Sequence, residues 1–153
     1  HSTAGLKHWN NETGWQEVVD YLKSCGYEVI NVSKEGCDLN GVTSFDNYSM
    51  DMIMNSIYHS EFFIGLSSGL SWLAWACELP IVLISGFSEK WSETTLDTYR
   101  VINENVCHGC FNWDRLDAGD WNWCPDHKGT ERQFECTKSI TSESVIKELE
   151  KFL

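Results

Sequence analysis

Apolar positions follow two alternating rhythms along this chain. Trp15, Val18, Val19 and Leu22 recur at helical spacing, with Asn10 or Asn11 placed to cap the start and Gly26 just past the end, so residues 11–25 predict an amphipathic helix. Residues 27–32 predict a short strand. A second helix is expected over 49–59, where Met50, Ile53, Met54, Ile57 and Tyr58 share one stripe. The nearly all-apolar run 61–66 reads as a parallel strand covered on both faces. Ser67, Ser68 and Gly69 separate it from a third helix at 70–78, and Pro80 opens a strand at 81–85. Residues 99–103 predict one more strand. From 105 to 137 no period is sustained. Beyond it, Thr141 or Ser142 caps a last helix whose Val145, Ile146, Leu149 and Phe152 can pack on the sheet.

Helices alternating with short apolar strands predict the α/β class, a Rossmann-like doubly wound parallel sheet. The 153 residues suffice for one such domain. The chain opens on His1, and on a loop and helix where such a domain normally opens on a strand, so we expect a piece of a longer protein. Eleven Lys and Arg against 23 Asp and Glu give a formal charge of -12, which argues against a nucleic-acid partner. No run approaches the roughly 20 apolar residues of a membrane helix, and no secretory signal is present, so a cytoplasmic location is expected.

The irregular segment 105–137 needs another organiser, and its cysteines offer one. Cys107 and Cys110 are separated by two residues, and Cys124 and Cys136 follow at longer intervals. Two thiolates on one turn can face a single ion, and two more complete a tetrahedron. Disulfides are the competing reading, but an odd total of seven cysteines and the lack of an export signal weigh against them. Thiolate ligation suits zinc and iron alike. His108, Asp126 and His127 read as solvated loop residues, and Cys25, Cys37 and Cys77 as structural. Trp113, Trp121 and Trp123 either fill a small core or face another subunit or an acceptor.

The turn Ser67-Ser68-Gly69 puts backbone N–H groups and two hydroxyls at the positive end of a helix, where a diphosphate can rest. An ordinary N-cap at Ser68 is the plainer alternative. Lys7 lies in a polar loop, residues 2–9, expected on the same rim, and ligands of doubly wound sheets bind at the carboxyl ends of the strands.

These residues resemble the ADP-heptose glycosyltransferases of lipopolysaccharide synthesis, and within them the autotransporter heptosyltransferases. The resemblance rests on Ser2-Thr3 with Lys7-x-Trp9, on the run from Phe62 to Ala74 that contains Ser67-Ser68-Gly69, on Glu78-Leu79-Pro80, and on the cysteine segment. It implies the C-terminal half of a GT-B glycosyltransferase with an inserted four-cysteine finger that holds iron. The donor would be ADP-heptose and the acceptor a Ser hydroxyl of an autotransporter protein. Lys7, helped by Ser2 and Thr3, would neutralise the donor phosphates. Ser67, Ser68, Gly69 and Leu70 would line the sugar-diphosphate, Glu35 would reach the ribose, and Tyr48 would flank adenine. The catalytic base would lie in an N-terminal domain, and the intact enzyme would be a homo-oligomer. Lipopolysaccharide heptosyltransferases usually carry Asp-Ser/Thr-Gly and a His where this chain has Ser67-Ser68-Gly69 and Trp72, a departure tolerated in the protein-modifying branch. The rival reading is a non-enzymatic interaction module built on the finger. A Rossmann enzyme using NAD or coenzyme A would need a glycine fingerprint that is absent.

Overall fold

The computed structural model describes residues 5–34, 36–45, 49–116 and 121–153. Helices α1 (Gly14–Ser24), α2 (Met50–Tyr58), α3 (Gly69–Ala76) and α6 (Ser142–Leu149) surround the strands. Strands β3 (Phe63–Leu66), β4 (Ile81–Ile84) and β5 (Thr98–Val101) form a parallel sheet in that order, and β1 (Val29–Ile30) pairs in parallel with β2 (Val42–Thr43).

Strand β4 lies at the centre of the larger sheet and is buried along its whole length. Successive side chains of a strand point to opposite faces. Ile81 and Leu83 accordingly enter a core with Ile53 and Ile57 of α2 and Ala74 of α3. Val82 and Ile84 enter the other core, with Val18 and Leu22 of α1 and Val145 and Leu149 of α6. Both faces of the sheet are therefore covered by helices, as the alternating pattern predicts. Trp9 closes the second of these cores, its indole N–H donating to the carbonyl of Ile140 at 3.0 Å.

Several boundaries differ from the sequence reading for identifiable reasons. Helix α1 begins at Gly14, because the Asn11 side chain accepts from the N–H groups of Thr13 and Gly14 and so caps from outside the helix. Strand β1 is two residues long, and β2, not predicted, is too short to show a period. On α2 only Ile53 and Ile57 are buried; Met50, Met54 and Tyr58 of the expected stripe are exposed, so the face that meets the sheet is narrower than the stripe. The connection from β4 to β5 carries a single 3-10 turn, Lys90–Ser92, in place of a crossover helix. At the other end the sequence signal is accurate: Thr141 caps α6 by accepting from the Ser144 N–H.

A cavity at Leu83 would open between the sheet and α2/α3, where neither layer can collapse freely. Leu83→Ala is expected to cost about 2–5 kcal/mol of stability, read as a lower midpoint in chemical denaturation with an unchanged slope.

Candidate functional site: a strand-end cleft joined to a cysteine finger

Helix α3 starts directly at the end of β3, and its first turn carries no acidic residue. Ser68 occupies the N-cap with an extended backbone, but its hydroxyl makes no capping hydrogen bond. The plain N-cap reading of the turn therefore fails at the side chain, and N–H groups at the positive end of α3 are left without that internal partner. Ser71 turns away, donating its hydroxyl to the Leu66 carbonyl. A Cβ built on Gly69 would meet nothing within 4 Å, so the space in front of the turn is open. Leu70 packs against the core shared by α2 and α3.

The segment that leaves β4 forms the opposite wall. Lys7 and Ser67 both line a small cavity there together with Ser85, Gly86, Phe87 and Thr137. This wall is held by a buried network. The Glu93 carboxylate, 5% exposed, accepts from the hydroxyls of Ser85 and Ser88 at 2.6 Å each and from Arg100 Nε at 2.8 Å, and Arg100 also donates to the Ser88 carbonyl. A buried charge is tolerated when it is paired and its lone pairs are filled, and both conditions are met here. Nothing in the periodicity of residues 85–100 marks Glu93 or Arg100, because the two residues meet through the loop and not through a helix or strand repeat.

The Lys7 ammonium lies 4.9 Å from the centroid of the Trp121 ring and 5.7 Å from that of Phe87. Among the described residues it has no carboxylate partner, so it is a cation positioned by aromatic faces and available to an anion. Ser2, Thr3, Glu35 and Tyr48, the remaining candidates for the donor site, lie outside the described residues.

Trp121 belongs to the cysteine segment, which contains two short helices, α4 (Cys110–Trp113) and α5 (Glu135–Lys138). Gly109 has a φ of +76°, and a Cβ there would fall 2.1 Å from the Glu89 carboxylate, so the turn between Cys107 and Cys110 requires glycine. Burial and the neighbouring thiols act on the same cysteines. Burial first, then the Glu135 hydrogen bond and the Cys136 and Cys124 charges, push Cys107 up to about 12. Burial, then Cys136 and Cys124, does the same to Cys110. Cys136 is raised to about 11 by burial and then Cys124, and Cys124 is raised by burial while its sulfur accepts from the Phe134 N–H at 3.0 Å. Cys124 thus opposes ionisation of Cys107, Cys110 and Cys136, a crowding of thiols that a thiophilic cation would relieve.

The tightest convergence of ligand atoms among the described residues includes one of these thiols. Cys107, His127 and Glu135 place one ligand atom each within 4.8 Å of one another. His127, read from the sequence as a solvated loop residue, is therefore within ligand reach. Glu135 is held at about 2, first by the hydrogen bonds it accepts from Arg132 and then by that from Cys107. The other cysteines stay apart from this site. Cys77 packs half-buried at the end of α3, Cys37 is half-buried, and Cys25, though exposed, caps α1 with its N–H donating to the Tyr21 and Leu22 carbonyls. Of the finger tryptophans, Trp121 joins a small core with Leu6, Phe87 and Cys124, while Trp113 and Trp123 are exposed.

No protein-family model matches the chain. Among curated proteins it is 46% identical over 158 residues to the autotransporter heptosyltransferase Aah of Escherichia coli, covering 94% of this chain and 40% of that protein. It is 35% identical over 149 residues to the inactive autotransporter heptosyltransferase BimC of Burkholderia thailandensis, covering 90% of this chain and 35% of that protein. The crystal structure of TibC from enterotoxigenic E. coli, an iron-containing dodecameric glycosyltransferase, superposes with a TM-score of 0.89 at 43% identity, over 99% of this chain and 42% of that one. E. coli heptosyltransferase WaaC with ADP-2-deoxy-2-fluoro heptose matches with a TM-score of 0.64 at 15% identity, over 100% of this chain and 41% of that one, a likeness of fold alone. The chain spans about two fifths of the length of the first of these relatives. Over that shared region the chain belongs to the autotransporter heptosyltransferase family.

Proposed function

We propose that residues 1–153 form the donor-binding, C-terminal domain of a GT-B heptosyltransferase, with residues 105–137 as its metal finger. The observation that carries this reading is the meeting of Lys7 with Ser67 in one cleft, beside the uncapped start of α3. A nucleotide diphosphate placed over the turn would accept from the first N–H groups of α3 and pair with Lys7. Gly69, beside Ser68, leaves open space for the sugar-diphosphate, and Leu70 packs the turn against the core. Ser2 and Thr3 would join Lys7, Glu35 the ribose, and Tyr48 the adenine. The TibC structure with ADP-D-β-D-heptose supports ADP-heptose as the donor.

Transfer to an autotransporter Ser hydroxyl needs a base, which the rest of the protein would supply, while Lys7 and the start of α3 stabilise the departing ADP. That one relative is inactive makes activity a property to be measured and not inherited. We place the enzyme in the cytoplasm, as a homo-oligomer like the dodecameric TibC; no helix among the described residues is long and apolar enough to cross a membrane.

The finger would hold iron, as TibC does, through Cys107, Cys110, Cys124 and Cys136, with His127 and Glu135 beside Cys107; zinc fits the same thiols. Four protein ligands close a site to substrate, so the metal orders the segment and takes no part in transfer.

Lys7→Ala is expected to weaken ADP binding about 10- to 100-fold, the loss of one charge-assisted contact, measured by calorimetry. Gly69→Ala should leave the melting temperature unchanged yet weaken ADP, because its methyl group enters open space that the ligand needs. Wild-type affinity in both variants would remove the diphosphate from this turn. Elemental analysis should find one metal per chain, and Cys110→Ser should lower that content; an unchanged content would refute the ligand assignment. Because burial keeps these thiols protonated through the neutral range, each thiolate bound to metal displaces a proton. Acidifying from about pH 8 to about pH 6 should therefore weaken the metal by up to about tenfold per unit for each proton displaced, read by chelator competition. A pH-independent affinity would mean that thiolates are not the ligands.

A further inference from the structure

The cysteine segment is attached to the Lys7 loop at several independent points. The Leu6 N–H donates to the Trp121 carbonyl at 2.9 Å and the Gly5 N–H to the Asn122 side chain at 3.2 Å. Asn10 donates to the Thr137 hydroxyl at 2.9 Å, one residue beyond Cys136. Leu6, 1% exposed, shares its small core with Cys124, and Cys110 packs against the same core. The finger also reaches the opposite wall of the cleft, where the Gly109 and Phe111 N–H groups donate to the Gly86 and Phe87 carbonyls at 2.9 and 3.0 Å. The Trp121 ring is the contact on Lys7 itself. Its indole N–H is buried without an acceptor among the described residues, so packing and not a hydrogen bond fixes the ring.

From this geometry we infer that Trp121 is a positioning residue for Lys7, and that through it metal in the finger and diphosphate in the cleft each strengthen binding of the other. The inference rests on Lys7 meeting the donor phosphates, as proposed above. A segment with little core of its own is ordered by its metal, and the ordered segment carries the face over which the ammonium is held. An anion that pulls on Lys7 in that position favours the same ordered state. Coupling between two sites is reciprocal, so the effect appears at both.

The test uses metal-loaded protein and ADP as the probe. Lys7→Ala and Trp121→Leu should each weaken ADP; the Trp121→Leu loss is about 3- to 10-fold. The double variant should bind no more weakly than Lys7→Ala alone, and Trp121→Phe, which keeps an aromatic face, should restore most of the affinity. Wild-type affinity in Trp121→Leu, or losses that multiply in the double variant, would overturn the inference. A second measurement does not depend on the folding of any Trp121 variant. Saturating ADP should slow removal of metal by a chelator several-fold in the wild type and leave the rate unchanged in Lys7→Ala. Equal wild-type rates with and without ADP would overturn the coupling. ADP affinity unchanged in Lys7→Ala is a separate failure, because it displaces the donor site itself.

Discussion

Strand β4 has no solvent face, and the rest of the described structure is arranged around that fact. Four consecutive apolar residues cannot be buried by one layer, because alternate side chains point in opposite directions. Ile81 and Leu83 draw in α2 and α3, and Val82 and Ile84 draw in α1 and α6. The carboxyl end of β4 leads into Ser85-Gly86-Phe87-Ser88, one wall of the cleft, and the parallel neighbour β3 ends in register beside it at Leu66, one residue before the serine turn. The cleft is thus a product of register: two parallel strands stop together, and both of the chains leaving them must turn in the same place.

The two walls are held by different physics. On the β3 side the turn is short and runs straight into α3, so backbone geometry alone aims the N–H groups. On the β4 side no crossover helix follows, and the loop would be free were it not tied by the Glu93 carboxylate, which takes up two serine hydroxyls and the Arg100 guanidinium at once. The cost of burying that charge is offset because every contact is charge-assisted. A loop beside a binding site is normally among the mobile parts of a protein; here an ion pair replaces the helix that would have immobilised it.

Much of this could be read from sequence because it is periodic or local. The helical stripes of α1 and α6, the apolar run of β4 and the Thr141 cap are patterns over a few adjacent residues, and each corresponds to a structural element. The pairing of Lys7 with the turn at Ser67 followed from topology, since loops at the same end of a parallel sheet converge. What could not be read depends on contacts between distant, aperiodic segments. Glu93 and Arg100 look like ordinary surface charges, and Trp121 gives no sign of lying over Lys7, 114 positions away along the chain. The stripe on α2 misled for the opposite reason: periodicity reports which residues share a face, not how much of that face the neighbouring layer covers. His127 carries no sequence pattern, because a histidine in a loop is placed only when Glu135 and Cys107 are folded against it.

On the proposed reading, the cysteine segment supports a phosphate site without acting on phosphate. Residues 105–137 have too few periodic apolar positions to bury themselves, and a segment in that condition stays unfolded unless another term replaces the missing hydrophobic burial. Closing it with the proposed metal-ligating thiols would need only a few fixed residues and would leave the others free for surface chemistry. The chain uses that freedom twice. Trp121 and Phe111 pack with Phe87, their rings tilted or edge to face, into a platform next to Lys7, and Trp113 and Trp123 are left facing outward. An aromatic platform can hold an ammonium in place without neutralising it, whereas a carboxylate would compete with the incoming diphosphate for the same charge. Among the described residues Lys7 meets ring faces and no carboxylate, and this keeps its positive charge available where the strand ends and the start of α3 converge.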